Sequence, residues 1–161
     1  MNNAAKTDNV ITLRAYSNEA GDDSWLKHWN QHKDIQEISD EASLEFTKLD
    51  DEILMQQAVY MIEHNCDVVG SISMMYDNQR CSVILGVMIG DPAMRNLGLG
   101  KNALQKAIIL IRNEPTIQTV HAYVYHDNLP AKKLFEGQHF KSKGMVLFKK
   151  KSTVHYVLKL T

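Results

Sequence analysis

A chain of 161 residues and 18.3 kDa holds one domain with a real core and is too short for two. Its 44% hydrophobic and 23% charged residues are those of a globular protein, and a net charge of −1 with pI near 6.6 excludes a broad positive field suited to nucleic acid or an acidic membrane. Cys66 and Cys81 are too few for a disulfide framework and form no CxxC pair, so reduced thiols and no metal are expected.

The N-terminal stretch lacks the apolar region of a secretory signal, and the longest apolar runs fall far short of a membrane span. A cytoplasmic protein is expected, one domain over residues 1–161 with 1–9 as a disordered tail. In chain order, Ile11 to Arg14 alternate as an opening strand. Asp22, Asp23 or Ser24 is placed to cap a helix carrying Trp25, Leu26 and Trp29 on one side. A second helix is expected from Ser39 or Asp40, with Leu44, Phe46 and Leu49 as its apolar positions.

Three strand-like runs follow, 53–64, 67–76 and 81–90, separated by turn-rich "NCD" and "DNQR". Links this short imply an antiparallel meander. Leu99 to Arg112 reads as a helix with Ala103, Leu104, Ala107, Ile108 and Ile111 on one face, ended by Asn113 and Pro115. "TVHAYVY" is a further strand, "LPAKKLFE" a short helix stopped at Gly137, and residues 145–160 a closing hairpin. The order β-α-α-β-β-β-α-β-α-β-β describes a mixed α/β domain.

The informative segment is "GDPAMRNLGLGKNALQ", residues 90–105. Its glycines suit a phosphate. A Walker loop is excluded, because Arg95 stands where it needs glycine and Asn102 where it needs Ser or Thr. A Rossmann turn matches at Gly98, Gly100 and Ala103, but it should follow its strand directly and be trailed by an acid about 20 residues later. Neither condition holds here.

Arg95-Asn96-Leu97-Gly98-Leu99-Gly100 fits R-x-x-G-x-G, and this stretch resembles motif A of the GCN5-related N-acetyltransferases (GNAT). Asn128, Ala131, Leu134, Phe135, Glu136 and Phe140 resemble motif B of that family, at the usual distance downstream. The resemblance spans residues 81–140. It implies the GNAT fold: a single mixed seven-stranded sheet with an antiparallel meander, strands four and five splayed apart, and about four flanking helices.

It further implies an acetyl-CoA-dependent N-acetyltransferase. Acetyl-CoA is then the co-substrate, a small-molecule amine the acceptor, and a homodimer a common state. The backbones of Val87, Met88 and Ile89 would bond the pantetheine arm as an added strand does. Arg95, Asn96, Leu97, Gly98, Leu99, Gly100 and Lys101 would cradle the pyrophosphate at a helix N-terminus. Asn128, Lys132 and Phe135 would line the other wall. Gly86 either marks a bulge that opens the gap or packs against a neighbour.

The Met88 N–H is the expected oxyanion donor. Two side chains usual in the family are missing. Phe135 stands at the position of the tyrosine that protonates the leaving thiolate, and Ser82, Val83 and Ile84 stand where a glutamate base is common. A thiol of pKa about 8.5 can leave without an acid, and an amine near 8 needs less help than one near 10.4. A weakly basic acceptor is therefore expected.

Tyr125 and His126 are the candidates for proton handling. His121 and Tyr123 share the face of Tyr125 by alternation. Trp29, Glu63 and His64 are candidate acceptor contacts. "AYVYHDNLPAKKLFEGQHF", with His139-Phe140 where the family usually has Gly-Phe, is similar to enzymes acetylating a nucleotide-linked amino sugar. Such a sugar ranks ahead of an aminoglycoside or polyamine, and those ahead of a protein N-terminus. A non-catalytic acetyl-CoA sensor is the alternative of another class.

Overall fold

The computed structural model describes residues 10–31, 56–148 and 150–160. Strands β1 (Ile11–Ala15), β2 (Gln56–His64), β3 (Asp67–Asp77), β4 (Ser82–Ile89), β5 (Thr119–Tyr125), β6 (Lys141–Phe148) and β7 (Lys151–Lys159) form one seven-stranded sheet in the order β1-β2-β3-β4-β5-β7-β6. Three helices are described, α1 (Asp22–Asn30), α2 (Leu99–Arg112) and α3 (Leu129–Gly137), with a short 3-10 turn at Pro92–Met94. The helix expected from Ser39 or Asp40, and the tail 1–9, lie outside the described residues.

The meander is as its short links require: β1, β2, β3 and β4 pair antiparallel in sequence. Asn65 and Cys66 turn the β2–β3 hairpin with φ of 51° and 69°, the left-handed pair of a type I′ turn, which follows the twist of the strands. β4 and β5 are parallel, joined through α2, and pair only over Ser82–Ile84 with Thr119–His121. Beyond Ile84 and His121 the strands part.

Side-chain alternation divides the sheet into two faces. Val83, Leu85, Val120, Ala122, Val124 and Tyr156 face α2 and α3 and form the main core with Leu99, Leu104, Ile111, Phe135 and Phe140. On the opposite face Trp29 of α1 packs with Met61, Tyr16, Leu26, Val68 and Met88.

Two local expectations are corrected. None of Asp22, Asp23 and Ser24 caps α1; the cap is Gly21 at φ 79°, with no side-chain bond. Asp22 is buried and accepts two hydrogen bonds from the Arg14 guanidinium, at 2.8 and 2.9 Å, and one from the Ser17 N–H. α3 ends at Gly137 as expected, with Gln138 as its cap, and the left-handed residue beyond the helix is His139 at φ 69°. The last hairpin begins at Lys141, earlier than the apolar run indicated.

Candidate functional site

β4 ends in a loop that folds back on it. Asp91 caps the 3-10 turn by accepting from the Ala93 N–H at 3.0 Å, and the Arg95 side chain returns to donate from Nε to the Ile89 carbonyl at 3.0 Å. Asn96 at φ 61° and Gly98 at φ 78° then turn the chain into α2. Gly98 has no side chain to cap the helix, and the first intrahelical bond runs from the Asn102 N–H to the Gly98 carbonyl. The N–H groups of Leu99, Gly100 and Lys101 therefore belong to the first turn, where helix donors have no intrahelical acceptor and the dipole is positive.

The two glycines have different reasons. Gly98 is demanded by its positive φ. Gly100 is not demanded by the protein itself, since a Cβ there would meet only Leu134 and Ile89 side-chain atoms, at 3.7 and 3.8 Å. A glycine that neither backbone nor packing requires leaves the helix amides open to a close ligand. The same distances place the start of α2 beside α3 and the end of β4, at the mouth of the gap.

Along the gap, ladder geometry decides which β4 amides point inward. Gly90 N–H bonds the Val69 carbonyl of β3, and the β3–β4 register runs without a shift from Gly70–Ile89 to Asp77–Ser82. Backbone direction alternates along such a ladder, so Gly90, Met88 and Gly86 turn to β3, and Ile89, Val87 and Leu85 turn to the gap. Two bonds on the far side agree: Cys81 carbonyl accepts from Gln118 N–H of the β5 approach, and Ile89 carbonyl accepts from Arg95.

Met88, expected to offer its N–H to an oxyanion, is thus corrected: its backbone faces β3, and Val87 and Ile89 face the gap. The unbroken register also removes the bulge at Gly86. A Cβ there would lie 2.6 Å from Ser73 Oγ, so the glycine answers a close cross-strand neighbour.

The wall opposite is β5 and the start of α3. Asn128 Oδ1 accepts from the Ala131 N–H at 3.2 Å, so the asparagine caps α3 beside the gap. Phe135 is 4% exposed, set edge-on to Phe140 and stacked on Tyr156, whose hydroxyl donates to Glu136 at 2.7 Å. Burial and that carboxylate push the Tyr156 hydroxyl up to about 12. Lys101 and Leu97 are exposed, Lys132 is half-buried, and the Leu99 side chain lies in the core, leaving its backbone to the cradle.

Tyr125 and His126 sit at the mouth. The Tyr125 ring is buried beneath the Lys151 ammonium, 4.7 Å from its centroid, and His126 is exposed with its N–H on the Ser152 carbonyl. Trp29 is 2% exposed and lies over Gly90, where a Cβ would come within 2.1 Å of the indole. Glu63 Oε1 accepts from Arg14 Nε at 2.6 Å, and His64 ends β2, two strands from β4. The glycine turn into α2, the β4 edge and Asn128 converge; Trp29 packs on Met88 and Gly90 at the α1-side face of β4, whereas Glu63 and His64 stand apart.

His155 was not anticipated. Its Nε2 lies 2.9 Å from Nδ1 of His121, and its ring stacks on Tyr123 with centroids 4.6 Å apart. The two histidines are 34 residues apart, and only the β5–β7 register, Tyr123 opposite His155, brings them together. Among the described residues no three His, Cys, Asp or Glu side chains gather as a metal-binding group, and no helix is long and apolar enough to cross a membrane.

The fold is shared with solved acetyltransferases. The aminoglycoside acetyltransferase AAC(6')-Ib in complex with coenzyme A superposes with a TM-score of 0.75 at 17% identity, over 94% of this chain and 95% of that one. Spermidine N-acetyltransferase from Vibrio cholerae with CoA and spermine gives 0.74 at 15%, over 92% and 95%. RimL, a ribosomal L7/L12 α-N-protein acetyltransferase in complex with CoA, gives 0.73 at 14%, over 95% and 96%. No curated protein sequence is a significant match. Residues 22–140, which include the splayed strands, the glycine cradle and the Asn128 cap, match the acetyltransferase (GNAT) family, and the chain belongs to it.

Proposed function

We propose that the chain, as one catalytic unit over residues 1–161, binds acetyl-CoA between β4 and β5 and transfers the acetyl group directly to the amine of a small molecule. The observation that carries this is the three-pair contact of β4 with β5, ending in a gap beside a helix start whose Gly100 the protein does not itself need. The α2 amides, Arg95 and Lys101 hold the pyrophosphate. The pantetheine arm bonds Val87 and Ile89 as an added strand, with Asn128 and Lys132 on the other wall. A gap-facing β4 N–H near the divergence, in place of Met88, donates to the developing oxyanion.

A weakly basic amine is the preferred acceptor, with a nucleotide-linked amino sugar first. Its support is the α1-side surface where the strands part, which presents the neutral Ser73, His121, Tyr123 and His155. A polycationic acceptor, an aminoglycoside or polyamine, is the second reading. It is favoured by the eight acids between Asp34 and Glu52, a stretch with one lysine.

Thiol release from acetyl-CoA is to be measured with a UDP-linked amino sugar, kanamycin, spermidine and a short peptide with a free N-terminus. Turnover with any of them excludes a sensor, and their ranking separates the acceptors. Gly100→Val is expected to fold, as judged by circular dichroism, yet lose the thermal stabilisation that acetyl-CoA gives the wild type. Undiminished stabilisation would refute the cradle.

A further inference from the structure

The core face of the gap is covered by α2 and α3, whose Leu99, Leu104 and Phe135 share one buried cluster with Leu85 and Ala122, with the partly buried Val87 packed against it. An amine meeting a thioester between the strands must therefore arrive from the opposite face. An arm entering at the cradle runs along β4 toward the point of divergence, so its reactive end lies toward the last pair, Ile84 with His121. Tyr125 and His126 stand at the far end of β5, about 13 Å away at roughly 3.3 Å per residue.

On the arriving face at the divergence stand Ser73 on β3, beside Gly86 of β4, and His121 and Tyr123 on β5. His121 is the one imidazole there on β5. His155 of β7 holds it through a 2.9 Å contact between its Nε2 and His121 Nδ1, the two imidazoles meeting edge to edge with centroids 5.1 Å apart, and its own face stacks on Tyr123.

Resting on the acetyl-transfer reading, we infer that His121 is the catalytic base toward the acceptor amine, with His155 as the positioning residue that fixes its tautomer. The amine nitrogen forms a bond to the thioester carbon while the carbonyl electron pair moves to oxygen, held by a gap-facing β4 N–H near the divergence. The N–H proton passes, directly or through one water, to Nε2 of His121. This requires His121 Nδ1–H to donate to His155 Nε2, so that the positive charge is shared across the pair. Re-forming the carbonyl breaks the C–S bond, the electron pair leaves on sulfur, and the imidazolium returns its proton to the thiolate. One residue then does the work of the missing glutamate and of the missing tyrosine at Phe135.

Burial holds the His121 imidazole below its ordinary pKa; His155 and Arg80 push the same way and Asp77 opposes them. Burial and Lys143 of β6 do the same to His155, while Tyr123, the remaining titratable neighbour, is held neutral by burial. The pair is thus unprotonated and able to accept at neutral pH.

The test uses the fastest acceptor among the UDP-linked amino sugar, kanamycin, spermidine and the peptide. His121→Gln is expected to lower kcat by about 100-fold or more, with the KM for acetyl-CoA and its thermal stabilisation unchanged. Imidazole added to His121→Ala should restore part of the rate. His155→Gln should lower kcat about tenfold and displace the acid limb of the kcat–pH profile, which the amine's own ionisation cannot do.

A His121→Gln enzyme within threefold of wild type overturns the assignment and leaves acetyl transfer standing. If the His121 variants fail to fold, an acid limb unmoved by His155→Gln overturns it. A wild type that binds acetyl-CoA and releases no thiol with any of the four overturns acetyl transfer, and this assignment with it.

Discussion

His139 and Cys66 occupy backbone that favours glycine. Both have φ of 69°, and both are exposed, so no packing compensates the clash of Cβ with the backbone. In His139 this explains an odd feature of the sequence. The residue before Phe140 closes the turn after α3, donating its N–H to the Glu136 carbonyl at 3.1 Å, in a conformation that glycine adopts without strain. His139→Gly and Cys66→Gly should each raise stability, by about 0.5–1 kcal/mol after the extra chain entropy of glycine in the unfolded state is subtracted. The measurement is the urea midpoint at an unchanged m-value. A lower midpoint in either variant would show that the side chain holds its turn by contacts stronger than the strain.

At the scale of elements, α1 and β4 are locked by one aromatic ring. Gly90 is buried, and a methyl group there would lie 2.1–2.4 Å from Trp29 ring atoms, too close for any relaxation short of moving the helix. Gly90→Ala should cost about 3 kcal/mol or more by overpacking, seen as a drop in Tm. Trp29→Leu costs a comparable amount through the lost ring. The double variant should be clearly more stable than the sum of the two losses, because the smaller side chain vacates the space that the new methyl needs. Strict additivity would show that Trp29 and Gly90 are not in the contact described.

Trp29 also marks where the sequence is legible and where it stops. α2 and β5 were readable to the residue, because a 3.6-residue apolar face and a period of two are local signals. The glycine turn into α2 was readable because glycine spacing is local too. The direction of the Met88 amide was not, since it depends on the parity of a register set by a neighbouring strand. Nor was the meeting of His121 with His155, or the burial of Trp29 on Gly90, since each joins elements distant in sequence. The capping of α1 was misread because Asp22 has a stronger, nonlocal attraction in Arg14, which outweighs a helix cap.

For the whole molecule, that attraction sets the response to acid. Arg14 on β1 reaches Asp22 at the start of α1 and Glu63 on β2 together, so one guanidinium joins the edge of the sheet to the helix. The Arg14 hydrogen bonds, with help from the Ser17 N–H, hold the Asp22 carboxyl below its ordinary value against the opposing effect of burial. In the unfolded chain the carboxyl titrates near about 3.9. Below that pH the unfolded state binds the proton first, so stability present at neutral pH is lost as pH falls from about 4 through the folded value.

His121 and His155 act by the same sign at higher pH. Their folded values lie below the unfolded one, about 6.5. Unfolded chains therefore gain protons first, and stability begins to fall as pH drops below that point. Urea midpoints at pH 7.5, 5.5, 4.5 and 3 should thus decline in two stages. Asp22→Asn should remove much of the decline below pH 4 and leave the upper stage intact, whereas His155→Gln should reduce the upper stage alone. Arg14→Met should cost about 3 kcal/mol at pH 7.5, because Asp22 stays buried with its charge uncompensated, and much less at pH 3, where the carboxyl is neutral. An Arg14→Met penalty equal at both pH values would mean that lost packing of the arginine stem, and not its charge, is what ties α1 to the sheet.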